Sequence, residues 1–173
     1  SAHNSGSVKI KDVYYLVGEN DTKATALALV NELSLDQVES ANIKVNLEEE
    51  KRNGQFILEL FNKTLISGAH DVSDGGIALA LCELAIVNGL GFRIIEGSLE
   101  YFFNETQGRY IISINPSKEK QLIHLAKEKK VTLNKLGVAE GTTLSFGSNI
   151  LHLDHVNDLY QNAISNMMEI ESR

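Results

Sequence analysis

Between Ile77 and Val87 the chain carries a single charged side chain, Glu83; every other residue there is Ile, Ala, Leu, Cys or Val. A helix apolar on nearly every side is stable only when nearly every side is covered. The segment therefore predicts a helix inside a packed body, closed by Asn88-Gly89. Its first turn must satisfy four backbone N–H groups. Directly before it stands H-D-V-S-D-G-G, His70 to Gly76. Asp74 or Ser73 at the N-cap would take one or two of those donors. Gly75 and Gly76, lacking side chains, would leave the rest open to an anion at the positive end of the helix dipole. The same string also describes a tight turn with a good cap and no ligand, and the residues alone leave both readings open. Asp71 and Asp74 suit a hard cation such as Mg²⁺, or simply complement the helix terminus. His70 fits a general base or a structural hydrogen-bonding residue.

A second polar cluster, N-E-T-Q-G-R-Y, spans Asn104 to Tyr110. Glu105, Gln107 and Arg109 are spaced by two, so an extended segment would project all three from one side. An acid, an amide and a guanidinium together suit a polar small molecule offering both donors and acceptors. Alternatively, Glu105 and Arg109 pair with each other and Gln107 is solvated.

Around these clusters, Val13–Val17 reads as a strand and Thr22–Leu33 as a helix. Ile43–Leu47 reads as extended, and Glu48–Ile66 as a helix with its acids first. Phe92–Ile95 and Tyr110–Ile114 read as strands, and Leu99–Phe103 as irregular. A helix is expected from Lys118 to Lys130 behind Pro116-Ser117. Strands at Leu133–Val138 and Thr142–Phe146 flank the Glu140-Gly141 turn. A last helix runs from Asp154 to Met168, with Val156, Leu159, Tyr160 and Ala163 on one face. Two strand pairs lack an intervening helix. That favours an α+β fold, one mixed sheet with helices packed on one face.

The 173 residues carry one cysteine, Cys82, one proline and a net charge of −7. A disulfide framework is excluded and a reducing, cytoplasmic setting is expected. The charge disfavours nucleic acid as a partner, and no run of about 18 apolar residues predicts a membrane span. Residues 1–10 are expected to be a flexible leader, and 11–173 a single domain.

Together, H-D-V-S-D-G-G and N-E-T-Q-G-R-Y resemble the C-terminal domain of phosphoribosylformylglycinamidine synthase, within the aminoimidazole ribonucleotide synthetase-related superfamily. The likeness runs from about Lys11 to Asn166. It implies an ATP-dependent carbon–nitrogen ligase of purine biosynthesis. Formylglycinamide ribonucleotide, ATP and glutamine-derived ammonia give the formylglycinamidine ribonucleotide, ADP and phosphate. The resemblance places ATP and Mg²⁺ mainly in an N-terminal ATP-binding domain that this chain has no room for. It implies as partners that domain, a glutaminase subunit or domain, and a small phosphorylated ribonucleotide. Asp71, Ser73, Asp74, Gly75, Gly76, Glu105, Gln107 and Arg109 are the expected phosphate- or substrate-binding residues, with no catalytic residue and no metal ligand among them. The domain alone is expected to be inert. The family's glycine-serine-rich loop after the first strand is replaced here by Glu19–Leu27. H-D-V-S-D-G-G is typical of the copy in the second half of the large subunit, where the site is degenerate or holds a structural nucleotide. Other readings are a structural or interaction domain, or another ATP-using member such as a thiamine monophosphate kinase, against which the E-T-Q-G-R run speaks.

Overall fold

The computed structural model describes residues 7–20, 46–95 and 97–171. The expected helix at Thr22–Leu33 lies outside the described residues, as do most of the Ile43–Leu47 segment and most of Glu19–Leu27. Among the described residues, seven strands form one sheet in the order β2-β4-β1-β5-β3-β6-β7. They are β1 (Val13–Val17), β2 (Gly68–Val72), β3 (Phe92–Ile94), β4 (Arg109–Ile114), β5 (Leu133–Ala139), β6 (Thr143–Phe146) and β7 (Asn149–His152). Only β3 and β6 pair in parallel; every other ladder is antiparallel. Five α-helices accompany them: α1 (Leu47–Asn62), α2 (Gly76–Asn88), α3 (Leu99–Phe102), α4 (Glu119–Lys129) and α5 (Leu153–Glu171).

The α+β class and the mixed sheet are as expected. The helices, expected on one face, cover both. Side chains alternate along a strand, and β1 divides its residues between two cores. Tyr14 and Leu16 pack with Ile77, Leu81 and Leu84 of α2. Val13, Tyr15 and Val17 pack with Phe56, Ile57 and Leu60 of α1 and Leu122 and Leu125 of α4. A strand buried on both faces reads as a continuous apolar run rather than an alternating one, and V-Y-Y-L-V is such a run.

Three further differences bear on the site. Gly68–Val72, where no strand was expected, is a strand on the sheet's edge, with His70 opposite Ile111 and Asp71 opposite Tyr110. Helix α1 stops at Asn62 rather than Ile66. Thr64 takes a left-handed conformation and the Leu65 N–H bonds back to Leu60 O, turning the chain into β2. The strands flanking Glu140-Gly141 do not pair with each other, because β3 lies between them. On α5, Val156 and Tyr160 are half-buried, whereas Leu159 is 57% exposed and Ala163 is exposed, so the expected face is narrower. Of the expected leader, residues 1–6 lie outside the described residues. Val8 is buried, and its N–H donates to Asn88 Oδ1 at 3.0 Å.

Candidate functional site

The two polar clusters meet at one end of the sheet, where β1 leaves, β4 begins and α2 starts. Neither Asp74 nor Ser73 caps α2. The N-cap is Gly75, which has no side-chain oxygen to give, and the helix's first turn contains no acid. Two of its donors are taken by other parts of the chain. The Gly75 N–H donates to Glu105 Oε1 at 3.0 Å, and the Gly76 N–H to Ser73 O at 3.0 Å. This is half of a capping box, in which a carboxylate accepts from the N-cap amide, but the acid comes from thirty positions downstream. Gly76 itself faces backbone. A Cβ there would stand 2.5 Å from Asn104 O and 2.6 Å from Phe102 O, and its φ is +65°. The segment 103–109, a strap across this end, lies directly on the helix terminus.

The strap is not extended, so Glu105, Gln107 and Arg109 do not share a side. Gly108, with φ +72°, breaks the alternation and turns Arg109 into the protein. Glu105 is half-buried against α2, Gln107 is exposed, and Arg109 is 2% exposed. Arg109 does not pair with Glu105. Its Nε donates to Thr106 O and its Nη2 to Asn104 O, both at 2.6 Å, and Nη1 meets Asn20 Oδ1. Burial pushes its pKa down from the usual guanidinium range to about 10, as expected for a charge held by neutral oxygens. On the α1 side, Asn53 is 1% exposed and its Nδ2 donates to Gly108 O at 2.9 Å.

Asp71, Ser73 and Asp74 are all exposed. Asp71 shares a strand position with Tyr110, on the face covered by α1, so it is turned away from the α2 terminus. Desolvation, with Glu50 and Asp71 nearby, holds the Tyr110 hydroxyl above its ordinary range. His70 faces α2 instead. Its Nε2 lies 3.0 Å from Glu83 Oε2 and its Nδ1 2.6 Å from the Asp71 carbonyl oxygen. The Tyr160 hydroxyl donates to Glu83 Oε1 at 2.8 Å. His70 thus ties β2 to α2 and α5, the structural role among its two readings.

Asn53 and Asn20 were not singled out from sequence, and Glu83 and Tyr160 were noted only as the lone charge of one helix and a face position of another. Asn53 left a signal: it precedes Phe56, Ile57 and Leu60 at helical spacing, a polar residue on the buried stripe of α1. Among the described residues no three His, Cys, Asp or Glu side chains converge on a metal position. No helix among the described residues is long and apolar enough to cross a membrane.

Residues 10–146 match the family model described as AIR synthase related protein, C-terminal domain. The chain belongs to that family. This AIR synthase related domain is 31% identical over 172 residues to the phosphoribosylformylglycinamidine synthase subunit PurL of Bartonella quintana, covering 96% of the chain and 23% of that protein. It is 40% identical over 104 residues to the PurL of Bartonella bacilliformis, covering 58% of the chain and 14% of that protein. In backbone it resembles Thermotoga maritima PurL complexed with FGAR, with a TM-score of 0.70 at 18% identity over 88% of the chain and 29% of that structure. The same T. maritima protein has been solved with ATP and as part of PurLQS. The AIR synthase related domain thus spans under a third of the length of each of these PurL relatives.

Proposed function

We propose that this chain is the C-terminal-type domain of a PurL-like synthase, a cytoplasmic ligase that makes formylglycinamidine ribonucleotide from formylglycinamide ribonucleotide, ATP and ammonia. The observation that carries the reading is the junction of the two motifs. H-D-V-S-D-G-G and N-E-T-Q-G-R-Y, thirty residues apart, are joined by the Gly75–Glu105 hydrogen bond. In the reading proposed, Ser73, Asp74 and Gln107 are the exposed groups that face a phosphorylated ligand across a cleft. The other wall is the N-terminal ATP-binding domain, which carries ATP and Mg²⁺; no step is assigned to either through the residues of this chain. Gly75, Gly76, Glu105 and Arg109 shape the wall from behind, and Asp71 borders it on the α1 side. The glutaminase supplies ammonia to the assembled enzyme.

Calorimetry on the full-length enzyme tests this. Gln107→Ala and Gly75→Val are expected to weaken ribonucleotide or nucleotide binding by tenfold or more. Unchanged affinities in both variants would remove the ligand role. The isolated chain is expected to form no product from ribonucleotide, ATP and ammonia, and turnover by the purified chain would sink that expectation.

A second reading, a structural or interaction domain with a degenerate site, draws support from the occupation of the Gly75 N–H by the chain's own Glu105. It expects the same variants to lower stability or domain association while leaving ligand affinity intact.

A further inference from the structure

We propose that residues 103–109 form a clasp between the two helical layers, pinned by Arg109, which sets Glu105 on the α2 terminus through contacts made on the far side of the sheet. Glu105 and Arg109 are then positioning residues rather than ligand groups. The inference goes beyond the functional reading above and does not depend on it.

The sheet separates two cores that share no buried side chain. The strap bridges them at the end of β1. On the α1 side, Asn53 Nδ2 holds Gly108 O at 2.9 Å. A Cβ on Gly108 would stand 3.0–3.1 Å from Glu50, so helix and strap are in direct backbone-level contact. On the α2 side, Asn104 O and Phe102 O lie against Gly76, and Glu105 reaches the Gly75 N–H. Between these anchors runs Arg109, whose guanidinium takes the carbonyls of Asn104 and Thr106 and the side chain of Asn20. A planar fork with five donors holds several oxygens in one fixed geometry, which a lysine ammonium does not. Asn20 in turn donates to Tyr101 O at 3.3 Å, closing the ring back onto the chain just before the strap. On either side of Glu105, the Thr106 N–H donates to Asn104 Oδ1 at 2.8 Å, and Asn104 O rests against Gly76. The Glu105 carboxylate stays at Gly75 only while the strap backbone is held in register.

Amide hydrogen exchange on the 173-residue chain tests the coupling. Asn53→Ala removes only the α1 anchor, on the opposite side of the sheet from Gly75. The clasp requires Gly75 amide exchange to accelerate at least tenfold in this variant, approaching the rate in Glu105→Ala. The amides of β6, whose backbone pairs with β3 and β7, and those of α4 make no hydrogen bond to the strap and are expected to keep their wild-type rates. A Gly75 rate unchanged in Asn53→Ala but raised in Glu105→Ala would overturn the clasp. So would uniform acceleration of all three regions, since that reports global destabilisation. Arg109→Lys is expected to give the accelerated rate despite its retained charge, and a wild-type rate there would overturn the role of the fork. Should Asn53→Ala fail to fold, Asn20→Ala withdraws one acceptor from Arg109 and is decided by the same comparison.

Discussion

Helix α1 begins behind Asn46, whose Oδ1 accepts the Glu49 N–H at 3.2 Å, and Glu48, Glu49 and Glu50 fill its first turn. Helix α2 begins behind Gly75, with no side-chain cap and no acid in its first turn, and the Asp74 next to it gives no cap bond. Both termini present the same positive dipole end and the same orphan donors. In α1 the remedy is local and exposed to solvent. In α2 it is imported across thirty residues, and the glycines that look like an open anion site are instead the seat on which the strap lies. The contrast shows that a glycine pair at a helix start has two physical uses. It admits a ligand, or it admits the protein's own backbone, and only the tertiary partner separates them.

The sharpest way to break this contrast is Gly76→Ala. The new Cβ would meet two backbone carbonyls at 2.5 and 2.6 Å in a left-handed conformation, and a loss of ~3 kcal/mol or more is expected in urea unfolding. If Gly76 served ligand access alone, stability would stay within ~0.5 kcal/mol of wild type. Next comes the pair Glu105→Ala and Asn46→Ala. Removing the imported cap is expected to cost ~1–2 kcal/mol and the local one ~0.5–1 kcal/mol, since the second terminus keeps its three acids and its access to water. Equal losses would show that distance along the chain makes no difference to a cap.

The smallest effect concerns pH. Burial, with the Glu83 carboxylate beside it, pushes the Cys82 thiol on α2 from 9.0 up to about 11. The folded state favours the neutral thiol, so its contribution is fully present below pH 9 and is lost as pH rises from 9 to 11. The buried residues of α1 include no titratable side chain. Alkaline titration is therefore expected to loosen the α2 layer first. Subtracting the urea midpoints of Cys82→Ala from wild type across pH 8–11 isolates the thiol from the tyrosines, and a flat difference would contradict the assignment.

Legibility followed the range of the interactions. Helices α1, α2 and α4 and strands β1, β3, β4 and β5 were readable because each is set by a repeat of apolar residues within its own length. Strand β7, Asn149–His152, was missed because all four positions are exposed and it carries no buried pattern. Strand β2 was hidden because its polar residues His70 and Asp71 stand on an edge. The pairing of β3 between β5 and β6 was beyond local reading, since a turn such as Glu140-Gly141 looks the same in a hairpin and in a crossover. At the site, residue identity was legible and residue direction was not. Glu105, Gln107 and Arg109 have the spacing of one strand face, yet Gly108 redirects the chain and each side chain ends in a different environment.

By itself, then, the amino-acid sequence determined the family, through its paired motifs, together with the α+β class and the burial of Ile77–Val87. Those follow from side-chain chemistry and periodicity, which act over a few residues. Tertiary structure alone decided that the sheet is covered on both faces, that Arg109 serves carbonyls, and that Glu105 occupies the terminus the glycines left bare. Each of these rests on a contact between segments distant in the chain, where the partner is selected by packing at the sheet's end and not by any neighbouring residue.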